Sequence, residues 1–311
     1  MAAWNRNWNQ FKQLLTKESS KNLNSGRWSL FHWVFWGKNF EMISDLVKDN
    51  RLDINKTNER GETILSVAVI NGNHDVVKML LKSPVIDVNK LEFTGRTPLF
   101  IACQSGNLEI VKTLLGDNRV DVNCPNVHDG FTPLCLACLN QHVEIVTALV
   151  QRKDLDMNLT NSTKASPFLL ACQKGNLPIV QILLNDMRVD LNQVRNDGET
   201  ALSVASVLGH LNVVKHILAS RRVITWDPVE VLEKVRKAQT LPRIHLETER
   251  YFKRRIRYCP KIYELLKKYN DEMDETVHYL RKILGFTGNF FFCLFGFILF
   301  YSNLKSFFFF K

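Results

Sequence analysis

Several features that mark other classes of protein are missing from this sequence. The first residues, Met1 to Arg6, contain no apolar stretch and no small-residue cleavage site, so there is no sign of a secretory leader. The seven cysteines are odd in number, and a chain of 311 residues can bury a core without disulfide staples. We therefore expect a reducing, intracellular environment, with the protein in the cytoplasm.

Catalytic and metal-binding motifs are missing as well. The sequence has no glycine-rich phosphate loop, no Gly-x-Ser-x-Gly elbow and no His-Glu-x-x-His zinc helix, and its eight histidines are scattered. The pair Cys135-x-x-Cys138 lacks the second pair that a zinc site needs. We therefore predict no catalytic residue, no cofactor and no metal site, and a protein that is not an enzyme.

Charge is present but unevenly distributed. A hydrophobic share of 45% with 23% charged residues excludes a wholly disordered chain. Residues 1–220 hold 23 basic and 21 acidic side chains (+2), residues 221–282 hold 16 and 10 (+6), and the remainder holds two lysines. Most of the net charge of +10 therefore belongs to the last third, and we expect no nucleic-acid partner.

The sequence repeats itself. Asp-x-Asn occurs five times at steps of 34, 34, 35 and 34 residues, and a second marker of Thr or Ser, mostly before Pro, follows each copy. An apolar segment with helical i, i+3, i+4 spacing comes next. The Asp-x-Asn copies start at Asp53, Asp87, Asp121, Asp156 and Asp190, and the second markers at Thr63, Thr97, Thr132, Ser166 and Thr200. Markers in a fixed order indicate a solenoid whose units pack against their neighbours.

This pattern resembles the ankyrin repeat, in which Gly-x-Thr-Pro-Leu opens a first helix and Val-x-x-Leu-Leu lies in a second. The resemblance covers about residues 24–223 and includes a degenerate first unit around Ser29 to His32. It implies an all-α solenoid of helix pairs joined by short hairpin loops. The implied repeats are 24–57, 58–91, 92–126, 127–160, 161–194 and 195–223.

Two departures from the family pattern are visible. The period is about one residue longer than the family's usual 33, and the histidine expected after Thr-Pro-Leu is found only at His32. Because that histidine makes hydrogen bonds between repeats in the family, we expect a somewhat lower stability than that of a consensus array, with the same fold.

The repeat register suits the residues that occupy it. Thr or Ser before Pro caps and starts the first helix, and Gly72, Gly106, Gly175 and Gly209 end it. Cys103, Cys138 and Cys172 share one position of the first helix and are predicted to lie in the core. Cys135 falls at the histidine position, so the Cys-x-x-Cys spacing is a coincidence of two repeat positions.

Helical caps are predicted on both sides of the repeats. In residues 1–23, helical spacing of apolar residues indicates a capping helix or, alternatively, a partner-binding helix. These residues are Trp4, Trp8, Phe11, Leu14 and Leu15. Residues 224–284 form a basic cap, in which Asp227-Pro228 starts a helix that runs to about Ala238.

The rest of this cap is predicted to contain three short helices. The first covers about 246–258 and is ended by Pro260, and the others cover 261–269 and 274–284. The basic run Lys253 to Arg257 is either a solvated face or a nuclear-import or phosphate-binding patch, so a nuclear location stays open.

The last segment, 285–311, holds 11 of the 20 phenylalanines. From Ile283 to Leu304 no residue is charged, and such a stretch is about 33 Å long as a helix, against about 30 Å for a hydrocarbon core. Three interpretations stay open. The segment is a tail anchor with the repeats in the cytosol, a translated non-coding sequence, or a hydrophobic segment on a membrane surface or in the protein interior.

The resemblance also implies how the chain functions, because ankyrin arrays bind other proteins through a concave surface of hairpin tips and first helices. The tip positions are Glu59, Arg60, Glu62, Phe93, Thr94, Arg96, His128, Asp129, Phe131, Asn196, Asp197 and Glu199. The helix positions are Ile70, Asn71, Gln104, Ser105, Leu139, Asn140, Gln173, Lys174, Val207 and Leu208. We expect a monomeric, non-enzymatic adaptor with another protein as its partner.

Five of these positions carry large apolar residues where packing does not demand them, which predicts a binding hot spot. They are Ile70, Phe93, Phe131, Leu139 and Val207. Two alternatives stay open: a tail-anchored membrane protein that displays cytosolic repeats, and a fragment of a larger channel or enzyme.

Overall fold

A computed structural model describes residues 32, 34–35, 40–48, 52–220, 222, 224, 227–240 and 249–271. In these residues all regular secondary structure is helical. Helix α1 (Phe40–Val47) is followed by the pairs α2 (Ile64–Ile70) and α3 (His74–Leu80), α4 (Pro98–Ser105) and α5 (Leu108–Leu115), α6 (Pro133–Leu139) and α7 (Val143–Val150), α8 (Pro167–Lys174) and α9 (Leu177–Leu184), and α10 (Ala201–Val207) and α11 (Leu211–Ala219). Helices α12 (Pro228–Thr240) and α13 (Glu249–Asp271) complete the chain as described. The predicted all-α solenoid is confirmed.

The first helix of each pair starts where the second sequence marker places it. The side-chain oxygens of Thr63, Thr97, Thr132, Ser166 and Thr200 each accept a hydrogen bond from the backbone amide three residues later. In α4, α6 and α8 proline fills the first position, where its missing N–H costs nothing. Local capping therefore accounts for these helix starts.

The turn between the two helices of a pair requires a left-handed residue. Gly72, Gly106, Gly175 and Gly209 have φ between +67° and +77°, as predicted, and Gln141 takes this conformation in the fourth repeat with φ +66°. The next residue starts the second helix. Asn73, Asn107 and Asn176 do so by accepting from a backbone amide of that helix.

The helix pairs stack in two layers around one continuous core. First helices pack against first helices of adjacent repeats, and second helices against second helices. The predicted core position of Cys103, Cys138 and Cys172 is confirmed, and Cys135 is buried as well. Burial raises the pKa of these thiols, so none of them is primed as a nucleophile.

One long edge of the stack, the loop edge, is formed by the Asp-x-Asn segments between repeats. In four of the five segments the Asn side chain bridges to the next repeat, as Asn123 does by donating to the Asp154 carbonyl (2.7 Å) and accepting from the Asp156 N–H (2.8 Å). Asn55, Asn89 and Asn158 repeat this pair of bonds. The first sequence marker is therefore a ladder of hydrogen bonds between repeats.

Arginines strengthen the same edge. Arg119, for example, donates to the carbonyls of Leu81 (2.9 Å) and Ser83 (3.0 Å) at the end of the preceding second helix, where carbonyls lack helical partners. Arg152, Arg188 and Arg222 reach back in the same way.

His32, which occupies the histidine position of the family pattern, makes a hydrogen bond to the next repeat. Its Nε2 donates to the Glu62 carbonyl at 3.0 Å.

Helices α12 and α13 extend the stack beyond the sixth repeat. Helix α12 packs against α10, and α13 packs against α10, α11 and α12. The helix predicted from Asp227-Pro228 is present and runs two residues further than expected.

The predicted helix end at Pro260 is wrong, because α13 is one helix that continues through this proline. Cys259, Ile262 and Leu266 are buried along one side of α13, on both sides of the exposed Pro260. A proline inside a helix costs about 3 kcal/mol, and burial of an Ile and a Leu contributes about as much or more. Tertiary packing thus overrides the local signal.

A buried histidine lies where α13 meets the repeats. His210 Nε2 donates to the Gln173 carbonyl at 3.0 Å, and Arg254 Nη1 donates to His210 Nδ1 at 3.2 Å. Burial of the ring, together with the positive charge of Arg254, lowers the pKa of His210 to about 4, while the bond to Gln173 opposes this shift. The ring is neutral at pH 7.

Three predictions concern residues outside the described ranges and stay predictions. They are the capping helix in 1–23, the helix at 274–284 and the nature of the tail 285–311. Among the helices that the structure describes, none combines the length and the apolar character that a membrane span requires.

Candidate protein-binding surface

The candidate surface is built on the hairpin tips that precede each first helix. The backbone at the two ends of a tip forms a hydrogen bond, as from the Asn58 N–H to the Glu62 carbonyl (2.9 Å) and from the Asn161 N–H to the Ala165 carbonyl (3.2 Å). The Asn58 side chain also accepts from the backbone amides of Arg60 and Glu62. Each tip is therefore closed by its own hydrogen bonds.

Neighbouring tips are joined by backbone hydrogen bonds that recur from tip to tip, and we call this second long edge of the stack the tip edge. The Phe93 N–H donates to the Arg60 carbonyl (3.1 Å), and the Val127 N–H donates to the Gly95 carbonyl (3.3 Å). Ser162 and Asn196 make the same bond to the tips before them. The Asn196 side chain adds a bond of its own, from Nδ2 to the Ser162 carbonyl (3.1 Å). The backbone bond itself forms with four different side chains at this position, so it does not depend on which one is present.

Close approach between tips depends on glycine. Gly61 has φ +74°, and a Cβ built on it lies 2.4 Å from the Phe93 ring and 2.6 Å from the Phe93 amide nitrogen. A Cβ on Gly95 lies 2.6 Å from Val127. Phe93 and Val127 are therefore held against the glycines of the preceding tips.

Most of the predicted tip residues are exposed. Glu59, Arg60, Phe93, Thr94, His128, Asp129, Asn196 and Asp197 are exposed, whereas Glu62, Arg96, Phe131 and Glu199 are half-buried. On the helix side, Ile70, Asn71, Gln104, Ser105 and Asn140 are exposed, whereas Leu139, Gln173, Lys174, Val207 and Leu208 are half-buried. As binding residues, all of these remain predictions.

The proposed apolar hot spot needs correction. Phe131, Leu139 and Val207 pack against the core, so packing does use them. Phe131 directly precedes the helix cap Thr132 at the foot of its tip, and Leu139 lies in α6 between the first helices of two neighbouring repeats. Only Ile70 (44% exposed) and Phe93 (71%) of the five are exposed.

Val127 was missed by the sequence reasoning although it is 69% exposed. Its tip is one residue longer than the other tips, which accounts for the step of 35 residues. Because of this extra residue, His128 and Asp129 were predicted as tip residues and Val127 was not. In the second and third repeats the first tip residue directly follows Asn58 and Glu92. The equivalent residue of the fourth repeat directly follows Asn126 and is Val127, so the repeat register identifies it.

The sixth repeat is partly covered by the C-terminal helices. Cys259 of α13 lies 3.5 Å from the Val207 carbonyl, and Lys234 of α12 forms an ion pair with Glu199 at 2.9 Å. The open part of the predicted surface therefore lies on the repeats before it.

Charged side chains on the surface are mostly engaged within it. Arg96 bonds to Glu92 of its own tip and to Gln104 Oε1 of α4 at 3.1 Å, which connects the tip to the helix side. Arg195 bonds to Asp197 and lowers the pKa of that carboxyl to about 2. Over the ranges that the structure describes, no three His, Cys, Asp or Glu side chains are grouped to hold a metal.

Comparison with known proteins agrees with this architecture. A family model described as ankyrin repeats matches in three copies, at residues 1–92, 85–161 and 153–225, which together are more than half of the chain. Among solved structures the chain is similar to the ankyrin repeat domain of Bcl-3, described as a unique member of the IkappaB protein family. That match has a TM-score of 0.58 and 23% identity over 64% of this chain and 89% of the other, and it shows a shared fold.

A search among curated proteins found no match. The family model nevertheless covers the whole repeat region, and the structure has the helix pairs, capped first helices and hairpin tips that the repeat markers predict. The chain belongs to the ankyrin-repeat family.

Proposed function

We propose that this chain is a non-enzymatic, monomeric adaptor that binds another protein through the tips of its second to fourth repeats, with Phe93 and Val127 as the apolar centre of the contact. Ankyrin repeats generally mediate protein–protein interaction, so a protein partner is the coarse expectation for the family. The assignment of the contact to these particular tips goes beyond what family membership implies.

The observation that carries it is the exposure of two large apolar side chains on adjacent, rigid tips. Phe93 and Val127 are 71% and 69% exposed, yet their backbones are bonded to the preceding tips. An apolar group that is already held in place loses little conformational entropy when a partner covers it. Such anchors, surrounded by polar groups, account for most of the binding energy in protein interfaces.

Polar groups surround this pair on both sides. Glu59 and Arg60 precede it, and His128 and Asp129 follow it, all of them exposed. Gln104 and Asn140 lie on the adjacent helix side, where Asn140 Nδ2 donates to the Gln104 carbonyl at 3.2 Å. The arrangement has the apolar centre and polar rim of an interface.

The test compares two double variants in binding to a partner that is first captured by the wild-type chain, identified and purified. Phe93→Ser with Val127→Ser is expected to weaken the affinity at least tenfold, because about 1.4 kcal/mol corresponds to a factor of ten. Affinity is measured by titration, and thermal melting checks that the array stays folded.

Val85→Ser with Met187→Ser is the matched control, since these residues are 68% and 75% exposed but lie in loops away from the tips. This control is expected to bind as the wild type does. Unchanged affinity in the tip variant, or an equal loss in both variants, would contradict the proposal.

A further inference from the structure

The last described helix carries far more positive than negative charge. Helix α13 contains eight basic and three acidic residues, a net charge of +5. The basic residues are Arg250, Lys253, Arg254, Arg255, Arg257, Lys261, Lys267 and Lys268, and the acidic ones are Glu249, Glu264 and Asp271. Acids on the same helix can therefore balance at most three of the eight cations.

Five of these cations lie together on the side of α13 that faces away from the repeats. Cys259, Ile262 and Leu266 are fully buried along one side. At 100° per residue, and between residues 253 and 268, the opposite side holds Lys253, Arg257, Lys261, Lys267 and Lys268, all of them exposed, with Glu264 as the acidic residue of that stretch. We call these five the basic face, and they extend over about 22 Å of helix.

The neighbouring helix α12 carries a smaller excess, three basic against two acidic residues. On α12, Lys234 pairs with Glu199 and Glu230, and Lys237 pairs with Glu233. The basic run seen in the sequence is also divided by the fold, because Arg254 reaches inward to His210 while Lys253 and Arg257 belong to the basic face.

Two further features, a tyrosine beside the basic face and an apolar stretch later in the sequence, favour a membrane surface as the polyanion that this face binds. Tyr258 lies beside it, half-buried, with the Arg257 guanidinium carbon 5.5 Å and Lys261 Nζ 6.0 Å from its ring centroid. Tyrosine flanked by cations suits the boundary between membrane and water. Eleven residues, 272–282, separate α13 from the uncharged, phenylalanine-rich stretch Ile283 to Leu304.

We propose that the basic face of α13 binds the surface of membranes that contain anionic phospholipids. Clustered Lys and Arg on one face of a helix are attracted to such surfaces. The proposal is independent of protein binding at the tips, because those tips belong to the second to fourth repeats and α13 lies beyond the sixth.

The test measures how fast the full-length chain associates with vesicles, by stopped flow at low ionic strength. Vesicles of phosphatidylcholine alone are compared with vesicles of phosphatidylcholine and phosphatidylserine at about 3:1. The wild-type chain is expected to associate at least tenfold faster with the anionic vesicles, and added salt is expected to reduce this ratio. Because the readout is an association rate, slow release by the apolar tail does not obscure it.

The decisive variant replaces the five cations of the basic face: Lys253→Gln, Arg257→Gln, Lys261→Gln, Lys267→Gln and Lys268→Gln. Its rate ratio is expected to fall close to one. The matched control removes the same charge from exposed lysines of the array, by Lys78→Gln, Lys82→Gln, Lys90→Gln, Lys112→Gln and Lys153→Gln. The control is expected to keep most of the wild-type ratio.

Three results would overturn the proposal: a wild-type ratio near one, an equal loss in both variants, or tighter binding of a single-stranded RNA oligonucleotide than of anionic vesicles. Circular dichroism and thermal melting establish that the variants are folded. If the five-site variant fails to fold, Lys267→Glu with Lys268→Glu is the smaller replacement, and it is expected to lower the ratio severalfold.

Discussion

The two long edges of the array join its repeats by different means. At the loop edge, side chains form the link, because each bridging asparagine both donates to and accepts from the backbone of the next repeat. At the tip edge, the recurring link is backbone, from the amide of one tip to the carbonyl of the tip before it, and Asn196 adds one side-chain bond to the Ser162 carbonyl.

This difference separates stability from recognition. A side chain that bridges two repeats cannot change without loss of its hydrogen bonds, whereas the backbone bond of the tip edge forms with different side chains at its position. The tip position that holds Phe93 in one repeat holds Val127, Ser162 and Asn196 in the next three, while the bridging position of the loop edge holds asparagine each time. The tip edge is therefore the edge on which binding residues can vary.

The largest expected effect tests whether the tip edge depends on close backbone approach. Gly61→Ala is expected to destabilise the array by about 3 kcal/mol, because φ is +74° and the new Cβ collides with the backbone and ring of Phe93. Chemical denaturation measures the free energy of unfolding.

Gly198→Ala is the matched control, since φ is +82° there but nothing lies within 4 Å of the new Cβ. Its expected cost is about 1 kcal/mol, from the backbone conformation alone. Equal costs at the two glycines would mean that contact between tips contributes little.

A smaller effect distinguishes the edges directly. Asn123→Ala is expected to cost about 2 kcal/mol in the free energy of unfolding, because it removes two hydrogen bonds between repeats. Phe93→Ser is expected to change stability by less than about 0.5 kcal/mol, since its side chain is mostly exposed.

Asn118→Ala, at an exposed position of the preceding loop, serves as the control for loss of an asparagine. The assignment of stability to the loop edge fails if Phe93→Ser destabilises the array as much as Asn123→Ala does.

Acid is expected to act at the buried histidines, among them His210 at the junction with α13, before it acts at the loop edge, because burial lowers the pKa of His32 as well. The pKa of His210 is about 4 in the folded chain, and its ordinary value, which applies to the unfolded chain, is 6.5. Between pH 4 and pH 6.5 the unfolded chain therefore binds more protons than the folded chain. The stability that the neutral ring provides is complete above pH 6.5 and is lost as the pH falls towards 4. From pH 7 to pH 5 this loss is about 2 kcal/mol at most.

Arg119 and Arg188 hold the pKa of Asp117 and Asp186 below their usual range, so this part of the loop edge weakens only as the pH falls below about 3.8. His210→Asn introduces the residue found at three equivalent positions and is expected to remove the part of the loss between pH 7 and pH 5 that His210 causes. His128→Asn, at an exposed tip, is expected to leave it unchanged. Denaturation curves at several pH values provide the comparison, and an identical pH profile for wild type and His210→Asn would contradict it.

Much of the fold could be predicted because its signals are local. A threonine before proline caps a helix within four residues, and Gly106 ends one within a single turn, so the positions of α4 and α6 follow from short stretches of chain. The candidate surface was less predictable. Whether Phe131 is exposed or Phe93 is buried depends on residues from neighbouring repeats, which a single repeat does not contain.

The sequence by itself determined the repeat period, the starts of the first helices, the buried cysteines and the family. Tertiary structure alone decided that α13 continues through Pro260, that Phe131, Leu139 and Val207 serve the core, and that five cations of one helix share one face. The physical reason is that capping and turn formation act over a few residues. Burial, by contrast, is set by every element that packs on a side chain, whatever its distance along the chain.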